Sequence, residues 1–292
     1  MRESQILQII RARIPEAGDD AAIVPFRDTN LVFTTDMLHR KTDFPEQTTP
    51  RTIGWRSVAV SLSDLAAMGA QPLGVLLAFG DPALDESSVM EVLEGASTCC
   101  EAAGTRLLGG DLDRHQELTL VSTAIGHTRD PVLRYGAKVG DLLCVTGELG
   151  RTQAALRCFA TGSTERANDL FRFPPRTTWG QQLAGLATSM IDISDGLARS
   201  LHLLAQASKV GFVVTSSALP IHPELLRHFT SAERLDAVLF GGEDYELLYT
   251  VSKERLRTES GKVIGRVINS GVSLCTAEGE IPLANQGWEH AA

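Results

Sequence analysis

The sequence predicts an α/β (α+β) protein of two domains, on three observations. Its 292 residues exceed the usual size of one compact domain and suit two. Short β-forming runs alternate with longer helical segments in both halves. Between the halves lies a polar, turn-rich stretch, residues 128–139, which divides the chain into 1–128 and 129–292.

The first element is a short helix within residues 1–18, where charges interrupt the apolar positions and so exclude a secretory signal. Residues 21–25 and 31–35 read as strands on either side of the turn sequence RDTN. Residues 50–69 form a helix, 74–79 a strand and 85–103 a second long helix. A short strand at 107–108 ends at Gly109, and residues 117–126 alternate with near period two, as a half-buried strand does. The second half opens with a strand over 141–146 and a helix over 152–160. A loop carrying Pro174 and Pro175 leads to a helix near 178–187. A strand at 191–193 runs into a helix over 196–208, and strands at 212–215, 246–251 and 262–267 complete the pattern.

Hydrophobic residues make up 43% of the chain and charged residues 22%, so a substantial core can form. Aromatics, at 5%, leave most packing to small aliphatic side chains. A net charge of −9 argues against a nucleic-acid or membrane-surface partner. The five cysteines, with one adjacent pair and no C-x-x-C, fit neither a disulfide framework nor a zinc site. No apolar run approaches the roughly 20 residues a membrane span needs, and the chain is expected in the cytoplasm.

Eight short acidic elements stand out, most of them where an apolar run breaks. They are GDD (18–20), TTD (34–36), TDF (42–44), LSDLAAMGA (62–70), GGD (109–111), IDISDGL (191–197), GGEDYEL (241–247) and the weaker EGE (278–280). Carboxylates beside Val, Ile, Leu and Ala are costly to bury without a partner, and too few basic residues lie in these elements to supply one. Hard oxygen ligands point to magnesium, and magnesium to a phosphorylated ligand.

Each element also has a plain structural explanation. Asp64 is the single charge in residues 57–70, a stretch apolar enough to be buried on nearly all sides, and could be held by backbone or the neighbouring serines. Thr34, Thr35 and Asp36 present three kinds of oxygen at a strand end, or form a cap. The glycines of GGD let backbone approach a ligand, or make a turn. Asp195 suits a helix N-cap, whereas Asp192, between Ile191 and Ile193, does not. Glu243 and Asp244 open a strand, or belong to a hairpin turn. Such explanations do not account for all eight occurring together. P-loop, G-x-G-x-x-G and protein-kinase signatures are absent, so if the protein uses ATP it holds it mainly through metals and glycine turns.

Taken in order, GDDAAIV, TTDML, WRSVAVSLSDLAAMGAQP, LLGGD, YGAKVGDLLCVTG, IDISDGL, GGEDYEL and GWEH resemble the thiamine-monophosphate kinase family, within the aminoimidazole-ribonucleotide-synthetase-like superfamily, nearly end to end. The resemblance implies two α/β domains of that type, the N-terminal one binding metal and ATP and its sheet forming a homodimer interface, the C-terminal one completing the site. It also implies direct, magnesium-assisted, in-line phosphoryl transfer from ATP to thiamine monophosphate, giving thiamine diphosphate and ADP. By the same resemblance Asp20, Thr34, Thr35, Asp36, Asp64, Asp111, Asp192 and Asp195 bind metal, with Asp64, Asp111 and Asp192 central to catalysis. Gly110, Asp111, Arg134 and Ser194 match nucleotide contacts, and Asp43, Glu243 and Trp288 match contacts to the thiamine phosphate.

Asp43 stands where relatives often have His, and residues 101–106 lack the Tyr that often precedes LLGGD. An aminoimidazole-ribonucleotide synthetase would carry a glycine-rich signature in place of IDISDGL. A selenophosphate synthetase would need a reactive Cys near the N-terminus, and the first here is Cys99. A non-catalytic nucleotide-binding paralogue would have no need of so many acidic residues.

Overall fold

A computed structural model describes residues 3–14, 17–257 and 261–288; Glu289 and His290 of the GWEH block lie outside this set. After helix α1 (Glu3–Arg13), strands β1 (Ala22–Phe26) and β2 (Thr29–His39) form a hairpin, with Arg27 at φ +54° in its turn. Helix α2 (Arg40–Asp43) is one turn long. Then come α3 (Pro50–Ala67), β3 (Gln71–Asp81), α4 (Glu86–Ala102), β4 (Leu107–Arg114) and β5 (Thr119–Thr128). The five strands lie in the order β1-β2-β5-β3-β4, antiparallel except for β3 and β4, which α4 connects as a parallel crossover.

α3 begins where Thr49 caps the Thr52 N–H and Pro50 supplies a preset φ. Fourteen of its eighteen residues are buried, so the helix is enclosed on almost every side, as the nearly uncharged run after Arg56 requires. Two glycines set its distance from α4: a Cβ at Gly54 would stand 1.8 Å from the Val92 carbonyl oxygen, and one at Gly95 1.9 Å from that of Arg51. Gly54→Ala is therefore expected to force the helices apart and destabilise the protein by about 1–3 kcal/mol. Denaturant unfolding reads this directly, and an unchanged midpoint would show that the helix pair yields without cost.

The second sheet is built from β6 (Leu142–Val145), β7 (Ser189–Asp192), β8 (Gly211–Thr215), β9 (Leu247–Val251), β10 (Lys262–Ile268), β11 (Val272–Thr276) and β12 (Gly279–Pro282). Their order is β12-β11-β8-β10-β6-β9-β7. Around them lie α5 (Arg151–Ala160), α6 (Thr164–Phe171), α7 (Thr177–Leu183), α8 (Leu197–Ser208), α9 (Pro223–His228) and α10 (Ser231–Phe240). α3 packs on its own sheet and also against α7 and β7, so this one helix joins the two halves. The approach to α7 is close: a Cβ at Gly180 would meet the Ala66 carbonyl oxygen at 2.1 Å. Among the described residues no helix is long and apolar enough to cross a membrane.

Several local expectations change. β2 continues to His39, which places TTD inside a strand paired with Ala124, Thr123 and Ser122 of β5 and not at a strand end. β4 continues to Arg114, so GGD is part of an edge strand and not a turn. Gly110 is a glycine because a Cβ would stand 1.8 Å from the Leu77 carbonyl oxygen of β3, a strand-packing demand. EGE sits at the exposed β11–β12 hairpin, away from the other acidic elements. The helix after β7 starts at Gly196 with no side-chain cap, so Asp195 does not serve as the N-cap.

Candidate functional site

Three carboxylates from separate parts of the chain converge between the halves. Asp20 comes from the turn before β1, Asp64 from α3 and Asp192 from the end of β7, and one oxygen of each lies within 4.8 Å of the others. Strand alternation turns Thr34 and Asp36 toward α3. Thr34 Oγ1 donates to Asp64 Oδ2, while Ser61 Oγ donates to Asp36 Oδ2 at 2.6 Å. Ser63 Oγ donates to Asp192 Oδ2 at 2.6 Å. Thr35, alternating to the other face, is bonded to the Ser122 carbonyl, so its side chain is turned away from the cluster. The segment around Asp64 thus uses its serines as props for neighbouring carboxylates, leaving Asp64 to Thr34.

Arg134 is the cation in direct contact with the group, with Arg11 acting on Asp19 and Asp20 from farther off. Arg134 Nη2 donates to Asp20 Oδ1 at 2.5 Å, and the Arg134 N–H donates to Asp19 Oδ2 at 3.1 Å. Burial alone would lower the Arg134 pKa, but Asp20 and Asp19 outweigh it and raise it. Burial, with Asp20 alongside, lifts Asp19 to about 6. Burial and the repulsion of Asp20 lift Asp192 to about 8, and burial with Asp36, Asp192 and Asp20 nearby drives Asp64 well up. Asp36 is also raised by its burial. Arg134 does not neutralise such a set, and Asp20 Oδ2 is buried with no hydrogen-bond partner among the described residues. A hard divalent cation fits these donors: an orphaned oxygen, convergent carboxylates and a flanking hydroxyl.

Beside Asp36 opens a cavity of about 480 Å³, and Asp43, Ser194, Asp195, Glu243 and Trp288 all line it. Asp43 Oδ2 is already engaged, accepting from the His39 N–H at 2.7 Å and from Thr42 Oγ1 at 2.6 Å. Asp195 pairs with Arg199 at 3.4 Å, and its carbonyl accepts the Trp288 N–H at 3.0 Å, which ties the C-terminal segment to the cavity rim. In GGEDYEL alternate residues serve different sides. Glu243 faces the cavity, whereas Asp244 Oδ2 accepts the Gly150 N–H at 2.8 Å at the start of α5. Burial raises Asp244 to about 7, despite the backbone donors that favour its ionised form.

Gly110 and Asp111 are not brought to this cluster. Asp111 is aligned through Ala78 and Val121 with Met37, whereas Asp36 is aligned through Ser122 and Leu77 with Gly110. Asp111 is therefore exposed on the sheet face opposite Asp36, and three strand spacings, about 14 Å, separate the two strands. The sequence reading did not single out Asp19, Arg56 or Tyr245, all of which border the cluster or the cavity. For Arg56 a signal existed, a charge standing directly before the long apolar run of α3.

The two-sheet α/β fold is that of the AIR synthase related proteins. Residues 18–128 match the AIR synthase related protein, N-terminal domain, and 138–274 match the C-terminal domain. A solved structure described as AaThiL complexed with AMPPCP and TMP has a TM-score of 0.92 at 29% identity, covering 99% of this chain and 97% of that one. The thiamine-monophosphate kinase of Halobacterium salinarum is 45% identical over 99% of this chain and 100% of its own length. That of Pyrococcus horikoshii is 35% identical over 99% and 96%. The chain belongs to the thiamine-monophosphate kinase family.

Proposed function

We propose that this chain transfers the γ-phosphoryl group of ATP to thiamine monophosphate, forming thiamine diphosphate and ADP in the cytoplasm. The observation that carries this is the carboxylate cluster of Asp20, Asp64 and Asp192 opening beside a cavity lined by Asp43, Glu243 and Trp288. The acceptor is itself a phosphate monoester, already anionic near neutral pH, so it needs little help from a general base. Repulsion between it and the γ-phosphate is the obstacle. Magnesium held by Asp20, Asp36, Asp64 and Asp192, with Thr34 beside them, would supply the charge neutralisation. Arg134 fixes Asp20 in place and keeps positive charge at the nucleotide end, Ser194 offers a hydroxyl to the nucleotide, and Trp288 offers a face on which the thiamine rings stack. Transfer is in line, with no phosphoenzyme.

In this reading residues 1–128 carry metal, nucleotide and dimerisation functions, and 129–292 complete the site. Thr35 enters through its backbone, and Asp195 from the cavity wall. Met37, Leu73 and Leu76 on the first sheet are 57%, 48% and 40% exposed, apolar surface that a second copy would cover. Gly110 and Asp111, on the edge strand of that sheet, then serve the nucleotide and metals of the neighbouring subunit.

The test is simultaneous measurement of ADP and thiamine diphosphate from ATP, magnesium and thiamine monophosphate. Equal amounts of both, abolished by EDTA, are expected; ATP binding without thiamine diphosphate would move the function to another acceptor.

The cluster also sets a pH dependence. A carboxyl raised by folding keeps its proton where the unfolded chain has lost it. Its contribution to stability is therefore full below the unfolded value of 3.8 and is lost as pH rises toward about 8 for Asp192. Metal replaces those protons, so its affinity rises over the same range. The increase in Tm caused by magnesium is expected to be larger at pH 8 than at pH 6. Equal increments at both pH values would remove these carboxylates as the metal site.

A further inference from the structure

Arg56 is the largest fully buried side chain of the protein's described residues, 1% exposed, and its guanidinium bonds to two residues that line the cavity and lies near a third. Nη2 donates to Glu243 Oε1 at 2.7 Å, and Nη1 donates to the Phe171 carbonyl at 2.9 Å. The guanidinium carbon stands 3.7 Å from the centre of the Phe171 ring and 6.0 Å from that of Tyr245. Tyr245 is itself stacked on Phe173 with ring centres 4.1 Å apart. The Arg56 Nε is buried without a hydrogen-bond partner among the described residues.

Glu243 is held from every other direction too. Its N–H donates to the Ser194 carbonyl at 2.6 Å, and its own carbonyl accepts from Thr152 Oγ1 at 2.6 Å. Its φ of +67° is a left-handed conformation that a non-glycine residue adopts only when the surroundings impose it. The Oε2 atom accepts no hydrogen bond among the described residues and is free for the cavity. We propose that Arg56 is the positioning residue of the substrate cavity: it fixes Glu243 so that one carboxylate oxygen is spent inside the protein and the other is presented to a cationic or hydrogen-bond-donating heteroaromatic ring of the acceptor.

Chemistry favours this over a purely architectural role. A buried guanidinium is expensive, and an apolar side chain of similar volume would pack against Phe171 and Phe173 at lower cost. Planar stacking on Phe171 and two directed N–H bonds define the orientation of the Glu243 carboxylate. Breaking a hydrogen bond to a charged group commonly changes binding by about 10- to 100-fold. That loss belongs to the acceptor alone, because the metal cluster is held by other residues.

The inference rests on the function proposed above, and the experiment separates the two. Wild type, Arg56→Lys, Arg56→Met, Glu243→Gln and the Arg56→Lys/Glu243→Gln double variant are compared for kcat, for the KM of thiamine monophosphate and for the KM of ATP. Arg56→Met is expected to raise the thiamine monophosphate KM about 10-fold or more with the ATP KM within about twofold, and Arg56→Lys, which keeps the charge but loses the planar two-bond contact, to raise the same KM by a smaller but measurable factor. In the Glu243→Gln background Arg56→Lys is expected to add nothing, a comparison that holds even if Arg56→Met fails to fold. Equal rises in both KM values, or independent effects of Arg56→Lys and Glu243→Gln, would overturn the positioning role while a wild type that makes thiamine diphosphate keeps the function. A wild type that makes none would overturn both.

Discussion

Asp64→Asn is expected to abolish most turnover, by roughly 10²–10³-fold or more, in a protein that remains folded. Asp64 lies on the most enclosed helix of the fold, and its carboxyl is held well above its ordinary value, first by burial and then by Asp36, Asp192 and Asp20. Asparagine keeps the shape and can still accept from Thr34, but it removes one of the mutually repelling charges. In EDTA the variant should therefore unfold at the same temperature as wild type or a higher one. With magnesium the order should reverse, because wild type gains a ligand-bound state that the variant lacks. Activity loss accompanied by a lower Tm in EDTA would make Asp64 a structural residue. Near-normal turnover would remove the cluster from the chemistry altogether.

The acidic motifs led to this cluster because burial of carboxylates among aliphatic residues leaves a sequence signal, whatever the fold. Asp192 between two isoleucines and Asp64 in an apolar helix are the clearest cases, and both are in the triad. The alternation of strands and helices gave both halves of the architecture for a similar reason. What the sequence hid was positional. Glycine disfavours strands, so the pattern ends the strand at Gly109 and leaves GGD open between a turn and a close backbone approach; only tertiary pairing shows Gly110 pressed against β3. Helix α10 went unread although Thr230 and Glu233 form a reciprocal capping box, a local signal that could have been found. The partner of Arg56 could not be read, since an arginine in the second turn of a helix more often faces water than a carboxylate 187 residues away in sequence.

Asp111→Asn is expected to be as inactive as Asp64→Asn, yet for a reason that lies in another subunit. Within one chain Asp111 is on the wrong face of the sheet and about three strand spacings from Asp36. No side-chain rotation spans that distance, so a role for Asp111 in catalysis requires that it reach the cluster of a second copy. The open sheet face on which it lies carries exposed Met37 and Leu76, the surface through which that copy would be held. A mixture of Asp64→Asn and Asp111→Asn proteins, allowed to exchange subunits, then forms mixed dimers in which one site has both defects and the other has neither. Random exchange of equal amounts should restore about one quarter of wild-type activity from two inactive proteins. Recovery must rise with the fraction of mixed dimers, measured by mass with one protein tagged. Complete exchange without recovery would place any function of Asp111 inside its own chain, against the geometry, or exclude it from the site. Full activity of Asp111→Asn alone would leave GGD as what the strand packing already explains, a close seam between β3 and β4.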